Sequence, residues 1–244
     1  MITYDSDLKI FYSTKINDGK FFAGFGTKDL GDGRNLRNIF EFLYQNEIDY
    51  KKLVVLDQIH SVNVEFFNSF KNNKLEKIEE TDGVITNKKG IVLSVRTADC
   101  LPITFVDKSS GLIGISHQGW RGSLKKMVIR MINKIIEKGG KKENILAAIG
   151  PGIGACCYNI NEDRYYQFLE EFNGYSDKIF QIRRGERYLN LMWFNYLLLI
   201  EAGIKKENID FFPFCTSCDK KRFFSFRRDK KKDYGEMFSF VLRR

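Results

Sequence analysis

Histidine is scarce in this chain: 244 residues contain two, His60 and His117, and only three prolines. So few imidazoles leave a short set of candidates for any metal or acid–base chemistry. The lack of a proline-rich stretch, an internal repeat or a low-complexity segment leaves no boundary between domains. Residues 1–244 are therefore expected to form a single domain, long enough to bury a substantial core. No apolar run is long enough to span a bilayer comfortably, since "YLNLMWFNYLLLIEAGI" is interrupted by Asn190 and Asn195. The opening "MITYDSDLKIFYST" carries acids where a secretory signal would be apolar. The expectation is a cytoplasmic chain with no membrane partner. Its five cysteines, an odd number, are expected as free thiols or metal ligands rather than a disulfide framework.

What is present is ordinary globular material: 43% hydrophobic and 14% aromatic residues, far from the signature of disorder. The net charge is +9, with lysines scattered and densest in "RRDKKKD", residues 227–233. A solvated basic surface is favoured over a nucleic-acid patch, because no nucleic-acid-binding motif accompanies it. "LVVLDQI", "GVITN", "GIVLSVRTA", "LPITFVD", "GLIGISH", "NILAAIG" and "IDFFPF" read as strands. "SLKKMVIRMINKIIEKGG", "NEDRYYQFLEEF" and "LNLMWFNYLLLIEAG" read as helices, the first stopped by Gly139 and Gly140. Consecutive strands with no helix between them predict an α+β fold, a mixed and largely antiparallel sheet with flanking helices.

The stretch "RTADCLPITF", residues 96–105, sets Cys100 directly after Asp99 at the mouth of an apolar run. "LPITFVDKSSGLIGISH" reads as a hairpin turned by "KSSG". Pairing Asp107 with Leu112 puts Pro102 opposite His117, with Cys100 about two residues away at the same end. His60 comes from a different strand end, in "DQIHSVNV". One cysteine and two histidines suit Zn²⁺ with a fourth position open. A buried, hydrogen-bonded His117 and a surface His60 fit the spacing as well, so both readings stand. A cysteine hydrolase or amidase is an alternative, with Cys100 as nucleophile, His117 as base and Asp99 or a carbonyl as orienter. His60 separates the two: a Cys–His pair does not need it, and a three-ligand metal site does. A zinc-stabilised nucleic-acid-binding module is a third reading, but it calls for four protein ligands and three are found near one another.

"SHQGWRGSLKK" places Gly119 and Gly122 ahead of a helix with Ser123 as its natural N-cap, and Arg121 beside them. If the preceding strand stays regular, Arg96, Ala98 and Cys100 share a face. Two arginines and a helix start would then flank the metal position and hold an anion, although the glycines could equally just make the turn. "GPGIGACC", residues 150–157, resembles a nucleotide-binding glycine loop without the helix that should follow, and reads as a tight loop near the site. Cys215 and Cys218 in "CTSCD" form a lone CxxC. A second four-ligand zinc site would have to recruit groups such as Cys156 and Cys157, and reduced structural thiols are the favoured reading.

In order and spacing, "DQIHSVNV", "TDGVIT", "SVRTADCLPI", "SHQGWRGSL", "AIGPGIGACCYNI" and "CTSCDKKRFFSFRRD" resemble the multicopper-polyphenol-oxidase-like family, also called the YfiH/LACC1 purine nucleoside phosphorylase family. The resemblance implies a mixed-sheet fold likened to deamidating toxin domains, and one zinc per chain on His60, Cys100 and His117. It also implies phosphorolysis of adenosine, inosine and 5′-methylthioadenosine, hydrolytic deamination of adenosine, and purine nucleosides and phosphate as partners of a monomer or dimer. On that footing Arg96, Arg121 and the helix start would hold phosphate, with Arg228 as an outside candidate and Asp99 moving protons. Gln118 stands where the family usually has a small residue, which would narrow the pocket. A laccase-type set of copper centres wants on the order of ten imidazoles, and two histidines cannot supply them.

Overall fold

A computed structural model describes residues 1–69, 73–229 and 234–244; residues 230–233 of the basic run lie outside the described residues. The α+β expectation holds, with the strands divided between two large sheets and a small one. The first sheet runs, edge to edge, Ile2–Asp5, Ile10–Ser13, Phe21–Gly26, Met237–Arg243, Ile91–Thr97, Lys52–Leu56 and Leu75–Ile78. The second runs Ile209–Phe211, Ile145–Ile149, Leu101–Asp107, Leu112–Gln118, Gly83–Thr86 and Val64–Phe66. Antiparallel pairs predominate, and the parallel ones join Lys52–Leu56 to both its neighbours, Val64–Phe66 to Gly83–Thr86, and Ile145–Ile149 to Ile209–Phe211. A small sheet of Asn159–Ile160, Glu186–Leu189 and Phe180–Arg183 stands apart.

The two large sheets share one core, in which Phe25, Val95 and Val241 from the first join Ile103, Phe105 and Ile115 from the second. Helix Met127–Glu137 lies on the second sheet, burying Met127, Val128, Met131, Ile132 and Ile135, the helical-period residues of its sequence. Helix Leu36–Gln45 covers the first sheet with Ile39, Phe42 and Leu43 against Val92, Phe238 and Phe240. Strands Leu101–Asp107 and Leu112–Gln118 are buried along their whole length. Material on both faces is why they read as continuous apolar runs. Among the described residues no helix is long and apolar enough to cross a membrane.

The expected hairpin forms in the expected register, with Asp107 opposite Leu112 and Pro102 opposite His117. The turn is fastened by the buried Asp107 carboxylate, which accepts from the Ser109 and Ser110 amides and the Ser109 hydroxyl. The helix expected from Ser123 onward is broken. Trp120–Leu124 forms a single turn, Lys126 adopts left-handed φ +60°, and the longer helix starts at Met127. Gly119 is therefore the N-cap and Ser123 lies inside the short turn, where its hydroxyl accepts from Asn195.

Candidate functional site

Three strand ends deliver the candidate ligands to one place. His60 sits in the loop after Lys52–Leu56, Cys100 in the bend between Ile91–Thr97 and Leu101–Asp107, and His117 near the end of Leu112–Gln118. One donor atom from each lies within 4.8 Å of the others. The Cys100 Sγ is 3.9 Å from His60 Nε2, and the two imidazoles meet edge to face with ring centroids 4.7 Å apart.

Both histidines are held by one carboxylate that the sequence reading passed over. Asp82 is fully buried and accepts a 2.7 Å hydrogen bond from His117 Nδ1, which leaves Nε2 for the cleft. Its oxygens also accept from the backbone amides of Ile59, His60 and Ser61 and from the Ser61 hydroxyl. Three successive amides turned to one carboxylate fold the 59–61 loop around it, with His60 at left-handed φ +61°. Asp82 thus fixes one imidazole by its side chain and the other by its backbone. A carboxylate behind a ligating histidine is the usual outer support of a zinc site. The signal was the "TDG" before a buried strand, which has no meaning until the fold brings it under both histidines.

Burial alone would raise the Cys100 thiol. The neighbouring His117 charge and hydrogen bonds from His117 and His60 more than offset that, lowering it to about 7. Burial likewise opposes protonation of His117, but the Cys100 and Asp82 charges raise it to about 10. Without a metal the two shifts favour thiolate beside imidazolium, and with the Nε2 proton released two imidazoles and a thiolate form an open-sided set that matches a catalytic zinc site with three protein ligands. Gly119 closes the floor. A Cβ added there would come 2.6 Å from His60 Cδ2 and 3.2 Å from Cys100 Sγ. Gly119→Ala is expected to push the His60 ring aside and weaken by about tenfold or more any zinc binding by the three candidate ligands, on the scale seen when ligand support is disturbed. Zinc titration against a chromophoric chelator checks this, and unchanged affinity would refute it.

The Asp99 carboxylate, at the edge of the cleft, is already engaged by three donors. The residue adopts φ +83°, the bend that ends the regular strand and brings the following residue, Cys100, toward the histidines. Its carboxylate accepts from the Thr216 and Ser225 hydroxyls at 2.6 and 2.9 Å and from the Arg227 amide at 2.7 Å. Its carbonyl accepts from the Ile153 amide. The residue ties the "GPGIG" loop and the "CTSCDKKRFFSFRRD" segment to the floor.

Above the floor opens a cleft of about 510 Å³. Arg96, Arg121, Arg164 and Arg227 line it, as do Trp120, Tyr158, Phe226 and Tyr234. The Trp120 ring carries two guanidiniums, Arg164 at 4.1 Å and Arg121 at 4.6 Å from its centroid. Tyr158, raised to about 12 by its burial, accepts from Arg164 Nη1 at 3.4 Å. Phe226 and Tyr234 pack edge to face across 5.1 Å. Arg96 reaches toward Glu236 at 3.9 Å, while Gln58 pairs with the Arg96 backbone. The expected Arg96 and Arg121 thus reach the cleft, and Arg164 and Arg227 join them unforeseen.

Two expectations are corrected. Arg228 lies outside the cleft lining: its guanidinium donates to the Thr216, Ser217 and Phe223 carbonyls and pairs with Asp229. Its neighbour Arg227 points in instead. Gln118 does not narrow the cleft, because it is fully buried and donates to the Ser116 hydroxyl. Gly122 packs at ordinary distance from the Ser61 carbonyl and takes no further part.

Known proteins are similar to this chain in sequence and in fold. The chain is 32% identical over 200 residues to the purine nucleoside phosphorylase YlmD of Bacillus subtilis, covering 79% of this chain and 71% of that one. It is 30% identical over 187 residues to the adenosine deaminase RL5 of an unknown prokaryotic organism, covering 74% and 71%. The crystal structure of the hypothetical protein YfiH of Bacillus licheniformis superposes with a TM-score of 0.88 at 28% identity, covering 100% of this chain and 99% of that one. A family model described as multi-copper polyphenol oxidoreductase laccase matches residues 25–244. By that match and those relatives, the chain belongs to the laccase-like polyphenol oxidoreductase family, whose members include purine nucleoside phosphorylases.

Proposed function

We propose that the chain is a zinc-dependent enzyme of purine nucleosides. It would cleave adenosine, inosine and 5′-methylthioadenosine with phosphate, and hydrolytically deaminate adenosine. The observation that carries this reading is the cleft itself, in which a three-ligand floor lies below four arginines and four aromatic rings. Aromatic faces suit a purine base, and guanidiniums suit phosphate through paired hydrogen bonds. The relatives named as a purine nucleoside phosphorylase and an adenosine deaminase support the same assignment.

His60, Cys100 and His117 would hold the zinc, which when bound supplies a Lewis acid for an oxygen of phosphate, ribose or water. Arg96 and Arg121 hold phosphate for attack of its oxygen on C1′. The C1′–N9 bond breaks as the C1′–O bond forms, giving ribose 1-phosphate (5-methylthioribose 1-phosphate from 5′-methylthioadenosine), and the base leaves with the proton given up by the attacking hydrogen phosphate. In deamination the oxygen of water adds at C6 and ammonia leaves, giving inosine. Trp120 and the Phe226–Tyr234 pair hold the base and exclude water around it. Copper oxidase chemistry of the laccase type is not proposed, because two histidines are too few for its centres.

One observation favours a second reading. Cys100, His117 and Asp82 form a nucleophile–base–orienter series, with the thiol already lowered to about 7. A cysteine amidase built on them would not need His60. The test is incubation with adenosine, with and without phosphate, of the wild type and of Cys100→Ala and His60→Ala. Phosphate-dependent adenine release lost in both variants, along with bound zinc, supports the metal reading. Full activity of a zinc-free His60→Ala protein overturns it in favour of the cysteine nucleophile.

A further inference from the structure

Behind the cleft wall four more cysteines come together. Cys156 and Cys157 stand in the turn after the glycine loop, and Cys215 and Cys218 in the "CTSC" stretch. Their four sulfurs all lie within 4.8 Å of one another. Cys218 Sγ is 3.5 Å from Cys156 Sγ and 3.4 Å from Cys157 Sγ. Tetrahedral zinc with Zn–S bonds of about 2.3 Å sets its sulfurs about 3.8 Å apart. A disulfide would bring two of them to about 2.05 Å. The spacing fits the first and is far from the second.

The backbone is arranged for the same purpose. Both loops are tight turns: the Cys157 and Tyr158 amides donate to the Gly154 carbonyl, and the Asp219 amide donates to the Cys215 carbonyl. Gly152 bridges to Cys215, and the Thr216 amide donates to the Gly152 carbonyl. Gly154 lets the loops close, since a Cβ there would lie 3.1 Å from Cys215 Cβ and 3.3 Å from Cys156 Sγ. Zinc held by four thiolates carries net negative charge. Two guanidiniums already grip this turn, Arg183 on the Ala155 carbonyl at 2.5 Å and Arg227 on the Cys157 carbonyl at 3.2 Å.

We infer that Cys156, Cys157, Cys215 and Cys218 form a second metal site, a closed four-thiolate zinc centre that fastens the cleft wall. With no open position it is structural, and it shares no ligand with His60, Cys100 and His117. It staples the loop bearing Ile153 and Tyr158 to the segment bearing Phe226 and Arg227, all four of which line the cleft. The inference goes beyond the favoured sequence reading of these cysteines as reduced structural thiols, and the four remain free of disulfides in the structure.

The test uses the full chain, expressed with zinc and desalted without oxygen. Two zinc ions per chain are expected in the wild type. One is expected in His60→Ala/Cys100→Ala, which removes the cleft site and leaves the four cysteines untouched, and one in Cys156→Ser/Cys218→Ser. Cobalt loaded into the His60→Ala/Cys100→Ala protein should show strong thiolate-to-cobalt charge-transfer absorption, and its four thiols should react with maleimide only after chelation. A metal-free His60→Ala/Cys100→Ala protein, thiols reactive before chelation, or an intact mass two hydrogens short would overturn the inference. If the serine variant does not fold, the untouched cysteines of the alanine variant decide alone. Because that variant lacks the cleft site, the result is independent of the purine assignment.

Discussion

Asp82→Ala is expected to abolish the zinc binding proposed for His60, Cys100 and His117, and with it the proposed activity, although Asp82 is not one of the three candidate ligands. The variant leaves the amides of Ile59, His60 and Ser61, the Ser61 hydroxyl and His117 Nδ1 without their acceptor. Breaking a buried, fully bonded charge of this kind costs about 3–5 kcal/mol. Loss of the carboxylate behind a ligating histidine lowers metal affinity about 10–100-fold. Here both histidines are released at once, so the upper end is expected. Asp82→Asn should fold better, since its carbonyl still accepts from some of the amides, yet it should bind zinc poorly because His117 no longer faces a charge. Zinc affinity by chelator competition and thermal melting check both variants, and wild-type affinity in either would sink the positioning role.

The pH dependence follows from the same contacts. Burial works against ionisation of Asp82, but the hydrogen bond and charge of His117, with Ser61, hold its carboxyl below the usual range. A lowered folded-state pKa gives stability that is complete above the unfolded value, about 3.9, and is lost as pH falls through the folded value. Acid should therefore loosen the 59–61 loop and weaken the zinc binding proposed there, which chelator competition across pH checks.

Asp99→Asn gives the second large effect, and it separates two roles for one residue. A proton shuttle would show itself as a collapse of kcat and the loss of one limb of the pH profile. The geometry predicts otherwise. The carboxylate accepts from Thr216, Ser225 and Arg227 at once, and an amide nitrogen cannot accept from any of them. Stability should fall by about 2–4 kcal/mol, as for a buried network with donors left unpaired. Because Phe226 and Arg227 ride on that segment, KM should rise several-fold while the shape of the pH profile is kept. A flattened profile with unchanged KM and melting temperature would restore Asp99 as the proton carrier.

The legible parts of this protein share a physical character. The hairpin register follows from the place and length of the "KSSG" turn, so Cys100 and His117 could be put at one end from "LPITFVDKSSGLIGISH" alone. The helix Met127–Glu137 follows from apolar spacing that only one face of a helix can satisfy. Strand Met237–Arg243, at the centre of the first sheet, went unread beside the basic run, because its partners Phe21–Gly26 and Ile91–Thr97 are remote in sequence. The left-handed Lys126 that splits the expected helix is equally silent, since lysine has no local preference for that conformation.

By itself the sequence determined which groups could do chemistry: two histidines, five cysteines and the arginines near them, and too few imidazoles for copper oxidation. The tertiary structure alone decided how they group. It assembled Asp82 under both histidines, aimed Arg227 rather than Arg228 into the cleft, and closed Cys156 and Cys157 against Cys215 and Cys218. Local pattern reports what a segment buries and how it turns. The meeting of loops far apart in the chain depends on how two sheets pack, and no single segment encodes that.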